Sequence, residues 1–212
     1  MSLPESPCAP PTSLGGIPTA TRWILSSNLL VFAAQLLGYS NWLLSWGALW
    51  PLDSGYFRPW QLVTYGWLHG GIGHIAVNMI GVFMFGSVIE RVWGAQRFLV
   101  FYLACVIGAA LTQLALIPQG LTIGASGGLF GLLLAFGLMF PNERLLILFF
   151  PFPVKAKWVV IGYGAVELFL GLSGSWQGVA HFAHLGGMLT GLLLILFWTD
   201  RLPIKPRPGK LW

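Results

Sequence analysis

One stretch decides the fold of this chain: Ile123-Gly124-Ala125-Ser126-Gly127-Gly128-Leu129-Phe130-Gly131, which surrounds one serine with glycines and leads into an apolar segment that ends at Phe140. The pattern predicts a membrane helix that begins at Ser126. The first turn of a helix leaves N–H groups unpaired, and glycine lets other backbone approach, so a hydroxyl and amide donors would converge here. That geometry suits acyl transfer. Gly127 and Gly131 also form a GxxxG pattern, for which close helix packing is the alternative interpretation.

The composition is that of a protein that crosses the membrane several times. Hydrophobic residues make up 56% of the 212 residues and charged residues 8%, which excludes a soluble globule with a polar surface. A helix needs about 20 apolar residues to cross the bilayer core. Segments of about this length, or somewhat shorter, occupy residues 23–39, 72–89, 96–117, 126–140, 157–172 and 179–198. We therefore predict an all-α polytopic membrane protein, a bundle of six transmembrane helices that forms one domain over residues 22–199.

Lys and Arg are distributed very unevenly between the two sides of this bundle. If the N-terminus is cytoplasmic, ten of the eleven fall on the cytoplasmic side and only Arg58 lies outside. The positive-inside rule then predicts that both termini are cytoplasmic, in the cell (inner) membrane. Residues 1–21 are predicted to be a disordered tail and residues 200–212 a basic tail. This topology, with anionic lipid nearby, accounts for the net charge of +5, so no nucleic-acid partner is predicted.

The fourth predicted helix is shorter than the membrane is thick. Residues 126–140 reach about 22 Å at 1.5 Å per residue, against a hydrocarbon core of about 30 Å. Charged residues after Pro141 hold the inner end at the surface. The missing length must then fall at the outer end, so Ser126 is predicted to lie in a recess that needs access to water.

Two polar residues face the same way at the start of the second span. His74 and Asn78 are four residues apart, so on a helix their side chains project from one face. Polar side chains at this depth are costly unless they face the bundle interior or a wet cavity, which makes them candidates for a functional site. An interhelical hydrogen bond that only stabilises packing is the alternative.

A histidine in the sixth span lies on a stripe of small residues. His184 shares this stripe with Gly187 and Gly191, which would allow close approach to the glycines of the fourth helix. His184 lies about 9 Å inside its helix when counted from the start of the span. The packing would bring it to the level of the recessed Ser126.

These residues match the needs of serine-based acyl transfer. A serine needs a base within hydrogen-bond reach, which His184 supplies, and an oxyanion needs donors, available from the Ser126 amide, Asn78 and His74. A complete triad looks hard to build, because the best-placed acid, Glu167, is expected to be a protonated or hydrogen-bonded structural residue. We therefore predict a Ser-His dyad and leave a catalytic role of Glu167 open.

A zinc peptidase is the competing chemistry. Its candidate ligands are His181 with His184, or His69 with His74. No HExxH motif occurs, and no carboxylate stands beside either pair in the sequence. No metal and no cofactor are predicted.

At these residues the chain resembles the rhomboid intramembrane serine proteases of the six-span bacterial type. The resemblance rests on GASG at residues 124–127, on His74 and Asn78 in the pattern HxxxN, and on AHLGG at residues 183–187, and it covers about residues 23–198. It implies that Ser126 is the nucleophile and that His184 acts as general base and then acid. It also implies an oxyanion pocket formed by His74, Asn78 and the Ser126 backbone N–H.

The resemblance assigns mainly structural roles to four further positions, and it has two departures. The structural positions are Trp60, His69, Glu90 and Gly94. Gln61 stands where many members have arginine, which leaves the anchoring of the external loop open. Phe130 stands where some have tyrosine, and it can stack on His184 without donating a hydrogen bond.

The function that the resemblance implies is hydrolysis of a peptide bond in or next to the transmembrane segment of a single-span membrane protein, through an acyl-enzyme. Lateral substrate access near helices two and five is also implied. An inactive relative that binds membrane clients is the alternative, but it predicts loss of Ser126 or His184, and both are present. A small-solute transporter is a third class. It should show internally repeated halves, and no repeat is found.

Overall fold

The computed structural model describes residues 16–117, 119–146, 152–174, 179–199 and 201. Most of the two predicted tails, residues 1–21 and 200–212, lies outside these residues. The first helix begins at Thr19, so the last residues of the predicted N-terminal tail belong to the bundle.

The first half of the described chain is helical, with an interruption after the first span. Its elements are α1 (Thr19–Ala34), a π-helical segment (Gln35–Tyr39), α2 (Ser40–Gly47), α3 (Gln61–Thr64), a 3-10 turn (Tyr65–Trp67), α4 (Ile72–Gly81), a second π-helical segment (Val82–Gly86) and α5 (Ser87–Trp93). Gly38 has a φ of 100°, a left-handed conformation that glycine adopts at little cost. The chain bends there, so α2 departs from the axis of the first span.

The second half contains three long helices, the short helix that begins at Ser126, and a small hairpin. Its elements are α6 (Ala95–Leu116), α7 (Ser126–Met139), β1 (Arg144–Leu145), β2 (Val154–Lys155), α8 (Ala156–Ser173) and α9 (His181–Trp198). The two strands pair antiparallel, Arg144 with Lys155 and Leu145 with Val154. This hairpin was not predicted from the sequence.

The helices confirm the predicted fold class. Within the described residues, five helical segments are long and apolar enough to cross a membrane: Thr19–Gly47, Ile72–Trp93, Ala95–Leu116, Ala156–Ser173 and His181–Trp198. The first of these includes the bend at Gly38. A sixth apolar helix, α7, has 14 residues and is about 21 Å long, so the fourth helix is short, as predicted. The chain is an all-α polytopic membrane protein.

The helices α6, α7 and α9 meet through glycine. A Cβ on Gly187 would collide with the backbone carbonyl of Gly127, and a Cβ on Gly131 would collide with the side chain of Cys105. The α7 and α9 backbones are therefore in direct contact at the level of the first α7 turn. This is the close approach that the glycine spacing predicts.

A buried carboxylate joins the end of the second span to the start of the first. Glu90 accepts hydrogen bonds from the backbone N–H groups of Ala20 and Thr21 at 2.8 and 2.6 Å and from the Thr21 hydroxyl at 2.8 Å. These are N–H groups of the first α1 turn, which have no partner inside their own helix. Glu90 is therefore a structural residue, as predicted.

The external loop between α1 and α4 is ordered around Gln61. This side chain is fully buried, and its Oε1 accepts from the N–H groups of Trp50 and Arg58 at 3.3 and 3.2 Å. Its Nε2 donates to the Tyr56 carbonyl at 3.1 Å. The Trp60 ring stacks on Trp46, with their centroids 5.9 Å apart. The Gln61 side chain thus anchors the external loop through hydrogen bonds to the loop backbone.

Candidate active site

Ser126 is the first residue of α7, and the chain before it is tied to the external loop. Leu49 and Thr122 exchange two backbone hydrogen bonds of 3.0 and 3.1 Å. Shortly afterwards, the Gly124 N–H donates to the Tyr65 carbonyl at 2.9 Å. These bonds fix the direction from which the chain enters α7, and with it the position of the hydroxyl.

Gly124 is required by its conformation and by its surroundings. Its φ is 125°, which side chains adopt only with strain. A Cβ at this position would stand 2.8 Å from Nε2 of His74 and 3.7 Å from Oγ of Ser126. The absence of a side chain therefore leaves one small space that both the His74 ring and the Ser126 hydroxyl border.

His184 lies in the first turn of α9 with its ring against Ser126. Its Nε2 is 2.8 Å from Oγ of Ser126, a hydrogen-bond distance. The Phe130 ring lies parallel to the imidazole, with an interplanar angle of 5° and centroids 4.3 Å apart. Phe130 thus stacks on His184, as predicted for this position, and restricts rotation of the ring.

His74 and Asn78 both lie on α4 and border the same cavity as Ser126 and His184. The Gly70 N–H donates to Nδ1 of His74 at 3.2 Å, so in the neutral ring the proton is on Nε2, the atom nearest Gly124. Nδ2 of Asn78 donates one hydrogen to the His74 carbonyl at 2.9 Å, and its second hydrogen is left for another acceptor. Two side-chain donors are therefore available near Ser126.

The four predicted residues line a cavity of about 550 Å³. Its wall also includes Gln113 of α6, which is buried and whose Oε1 accepts no hydrogen bond from the residues that the structure describes. The cavity gives Ser126 the recess that the short α7 predicts. Its volume lies in the range of small-ligand pockets, so part of a peptide chain fits.

The structure differs from the sequence-based expectation at Glu167. Oε2 of Glu167 lies 2.6 Å from Nδ1 of His181 and 3.0 Å from Nδ1 of His184. The first contact is a hydrogen bond, whereas the second is close but not linear. An acid therefore does stand beside the predicted base, although the sequence indicated that a third member would be hard to supply.

The same three side chains are the candidate metal ligands of the described part of the chain. One ligand atom from each of Glu167, His181 and His184 lies within 4.8 Å of the others. No carboxylate stands beside this histidine pair in the sequence. In three dimensions, however, Glu167 lies beside both histidines, so the argument against a metal site from the lack of a carboxylate was wrong. Two nitrogens and one oxygen are a donor set that suits zinc. In this structure, however, Nδ1 of His181 is hydrogen-bonded to Oε2 of Glu167 at 2.6 Å, so these two ligand atoms already satisfy each other.

His69 packs against the ring of His74. Its backbone N–H donates to Oε1 of Gln35 at 3.1 Å, and its carbonyl accepts from Nε2 of Gln35 at 3.2 Å. Its ring lies edge-on to the His74 ring, with centroids 5.1 Å apart. Burial lowers the pKa of His69 to about 4, and the neighbouring His74 adds to the shift. His69 is therefore neutral at pH 7 and fills space beside His74 without adding charge.

Two further residues of the site were missed by sequence reasoning. Tyr65 is fully buried, and besides its bond to Gly124 its hydroxyl donates to the Val106 carbonyl at 2.7 Å. His181 was considered only as a zinc ligand. An acid inside a membrane span needs a polar partner. The need of Glu167 for such a partner was therefore the signal that could have pointed to His181. Nothing in the sequence marked Tyr65 among its aromatic neighbours.

Comparison with known families gives one match over most of the chain. The family model described as the rhomboid domain matches residues 56–201, which include all four predicted site residues and the Glu167–His181 pair.

Curated relatives carry the same family name. RHOMBOID-like protein 4 of Arabidopsis thaliana is 35% identical over 135 residues, which are 64% of this chain and 33% of the relative. Rhomboid protein 1, mitochondrial, of Saccharomyces cerevisiae is 32% identical over 131 residues, 59% of this chain and 38% of the relative. The human presenilin-associated rhomboid-like protein, mitochondrial, is 27% identical over 203 residues, 89% of this chain and 51% of the relative. The chain thus spans about a third to a half of the length of these relatives.

Proposed function

Because the chain belongs to the rhomboid family, we propose that it is a serine-type intramembrane endopeptidase. It would hydrolyse peptide bonds in or next to the transmembrane segments of single-span membrane proteins. The observation that carries this proposal is the 2.8 Å contact between Nε2 of His184 and Oγ of Ser126 at the edge of a cavity. A nucleophile and a base in contact, open to a recess within the bundle, are what serine-based acyl transfer requires.

The first half of the reaction uses the Ser126–His184 contact. Nε2 of His184 takes the hydroxyl proton as Oγ of Ser126 bonds to the scissile carbonyl carbon, and the carbonyl electron pair moves onto its oxygen. The resulting oxyanion accepts hydrogen bonds from Nε2–H of His74, from the Asn78 amide and from the Ser126 N–H. The carbonyl then re-forms, the C–N bond breaks, and the imidazolium gives its proton to the departing amine.

The second half of the reaction repeats these steps with water. His184 takes a proton from a water molecule as the water oxygen attacks the acyl-enzyme carbonyl. The second oxyanion accepts hydrogen bonds from the same donors. On its collapse the ester C–O bond breaks, and Oγ of Ser126 recovers a proton from His184. No metal or cofactor takes part in the proposed cycle.

The proposed orientation has both termini on the cytoplasmic side of the cell (inner) membrane, because Lys and Arg gather on that side. A Cys8→Ser background with one new cysteine tests it. Asp53→Cys in the external loop should react with an impermeant maleimide in intact cells, and Asn142→Cys after α7 should react only after lysis. The reverse pattern would overturn the orientation.

The proposed activity is tested by cleavage of a model single-span substrate in liposomes. Wild type should cut it and should react with a fluorophosphonate probe, whereas Ser126→Ala and His184→Ala should do neither. Ser45→Ala is the matched control, because among the described residues the hydroxyl of this exposed serine bonds only to the Trp42 carbonyl, at 2.8 Å within its own helix. If folded wild type neither cuts such substrates nor reacts with the probe, the protease proposal fails and client binding becomes the better hypothesis.

A further inference from the structure

We propose that Glu167 is a positioning residue, which holds the His184 imidazole in the tautomer and orientation that the Ser126–His184 dyad needs. This inference rests on the proposed serine protease function. Its basis is that the two nitrogens of one imidazole meet two different groups. Nε2 lies 2.8 Å from Oγ of Ser126, and Nδ1 lies 3.0 Å from Oε2 of Glu167.

The carboxylate selects the tautomer of His184 that the reaction needs. A neutral imidazole carries one proton, and a general base must leave unprotonated the nitrogen that faces the nucleophile. Oε2 of Glu167 lies 3.0 Å from Nδ1 of His184, which has no hydrogen-bond partner among the described residues, and an ionised carboxylate can only accept. The proton is therefore favoured on Nδ1, and Nε2 is free to accept the Ser126 proton.

His181 holds the carboxylate in place. Its Nδ1 is 2.6 Å from the same Oε2 that faces His184, and Glu167 is only 8% exposed. A buried carboxylate without partners inside a bundle is costly, so these two imidazoles account for its presence at this depth. Since His181 and His184 lie one turn apart on α9, Glu167 bridges two positions of one helix from a neighbouring helix, α8.

The same contact acts during the reaction. When the proton of Ser126 moves to Nε2, His184 becomes an imidazolium, and its positive charge lies against Glu167. The proton on Nδ1 stays on Nδ1, so Glu167 is not protonated in any step. The contact is not linear in the free protein, and hydrogen bonds of this kind often tighten only when the substrate is bound.

A purely structural role is the competing explanation, in which Glu167 and His181 only join α8 to α9. The two explanations differ in what they predict for folded protein. A structural pair affects how much protein folds. A positioning residue also affects how fast Ser126 reacts in each folded molecule.

The test compares Glu167→Gln, Glu167→Asp and Glu90→Gln in the full chain. Glu90→Gln is the matched control, because it makes the same chemical change in a buried glutamate that caps α1 and does not line the cavity. For each variant, the rate constant of fluorophosphonate labelling is measured per folded molecule, together with kcat, KM and thermal stability.

Glu167→Gln should lower kcat and the labelling rate by about 10²-fold or more while KM changes by less than about threefold. Glu167→Asp keeps the charge and should recover at least about tenfold of this loss. Glu90→Gln should lower thermal stability and leave the labelling rate per folded molecule unchanged. A labelling rate for folded Glu167→Gln equal to that of wild type would overturn the positioning role.

A spectroscopic readout separates this inference from the proposed function. The chain has four histidines, so ¹⁵N-histidine NMR can assign the proton of His184 to one nitrogen with single-histidine variants as references. The proposal requires Nδ1–H in wild type and a mixed population in Glu167→Gln. If wild type proves unreactive, the protease function fails while this measurement still decides the tautomer. If wild type is active and its tautomer does not depend on Glu167, only the positioning role fails.

Discussion

His184 is held between α7 and α8, and these two helices hold it by different means. On the α7 side, the backbones of Gly127 and Gly187 touch, so steric contact sets the distance to Ser126. On the α8 side, side-chain contacts hold the helix: those of Glu167, and an apolar cluster in which Val159 and Val160 pack with Met188 and Leu192 of α9. Much of the rest of α8 is exposed on the surface that lipid would cover.

The difference shows which distance the fold fixes more firmly. Close-packed backbone cannot shift without a collision, whereas a carboxylate contact can lengthen and re-form. We therefore expect α8 to move more easily than α7 relative to α9. Such a movement would disturb Nδ1 of His184 before it disturbed the contact between Nε2 and Ser126.

The largest expected effect comes from placing a methyl group in the contact between Gly187 and Gly127. In Gly187→Ala the new methyl group meets the Gly127 carbonyl, so α9 must move away from α7. We expect a loss of about 3 kcal/mol in the free energy of unfolding, together with loss of cleavage. Thermal unfolding and fluorophosphonate labelling measure the two effects.

Gly162→Ala on α8 is the control for this change. A Cβ there meets nothing within 4 Å, and alanine is the better helix former. Stability should therefore be unchanged or slightly higher. Wild-type labelling by Gly187→Ala would show that the α7–α9 contact does not set the distance between Ser126 and His184.

The next effect is expected from added zinc at the α8 side. Glu167, His181 and His184 offer ligands within 4.8 Å of one another, and a histidine that binds zinc through Nδ1 carries its proton on Nε2, where it cannot accept one from Ser126. Saturating Zn²⁺ should leave less than about a tenth of the activity. EDTA should reverse this inhibition and should not inhibit untreated wild type. Inhibition by EDTA alone would contradict a metal-free mechanism.

A smaller effect is expected at His181. His181→Leu removes the 2.6 Å partner of Glu167, and we expect kcat to fall about fivefold to tenfold, because the buried carboxylate loses the imidazole to which it is hydrogen-bonded. His181→Asn places an amide N–H near the position of Nδ1, so it should stay within about threefold of wild type. Steady-state cleavage measures both variants. Equal losses of kcat in the two variants would mean that the hydrogen bond from Nδ1 of His181 to Glu167 does not contribute to the rate.

The smallest effect is expected at the face of the His184 ring. Phe130→Leu removes a ring that stacks at 4.3 Å, a contact worth about 1 kcal/mol, so the labelling rate should fall a few-fold. Phe130→Tyr keeps the stacked ring and should label like wild type. If Phe130→Leu also labels like wild type, the polar contacts alone orient the imidazole.

The depth of each site residue could be predicted from the sequence, because position along a membrane helix is a one-dimensional count. Ser126, His184 and the pair on α4 were located in this way, and the glycine spacing indicated which faces of α7 and α9 meet. The rotation of α8 could not be predicted, because its small residues are spread around the helix and mark no single face. Glu167 was therefore located in the outer half of the bundle but not beside His184.

The external loop shows a second limit of the sequence. The departure at Gln61 left its anchoring open, because the hydrogen bonds of a buried amide depend on where the surrounding loop backbone lies. Those bonds go mostly to main-chain groups, which carry no sequence signal. For the same reason the backbone pairing of Leu49 with Thr122 was not predicted.

The 58 residues that separate Ser126 from His184 matter for biosynthesis. A ribosome that adds about 5–20 residues per second needs about 3–12 s to make this stretch. During that interval α7 precedes α9 in synthesis, so the serine exists without its base, and Gly127 lacks its contact with Gly187. We expect the nascent chain to be unable to cut neighbouring proteins at the insertion site. Activity would begin only when the helix that carries His184 docks, which couples the onset of proteolysis to completion of the fold.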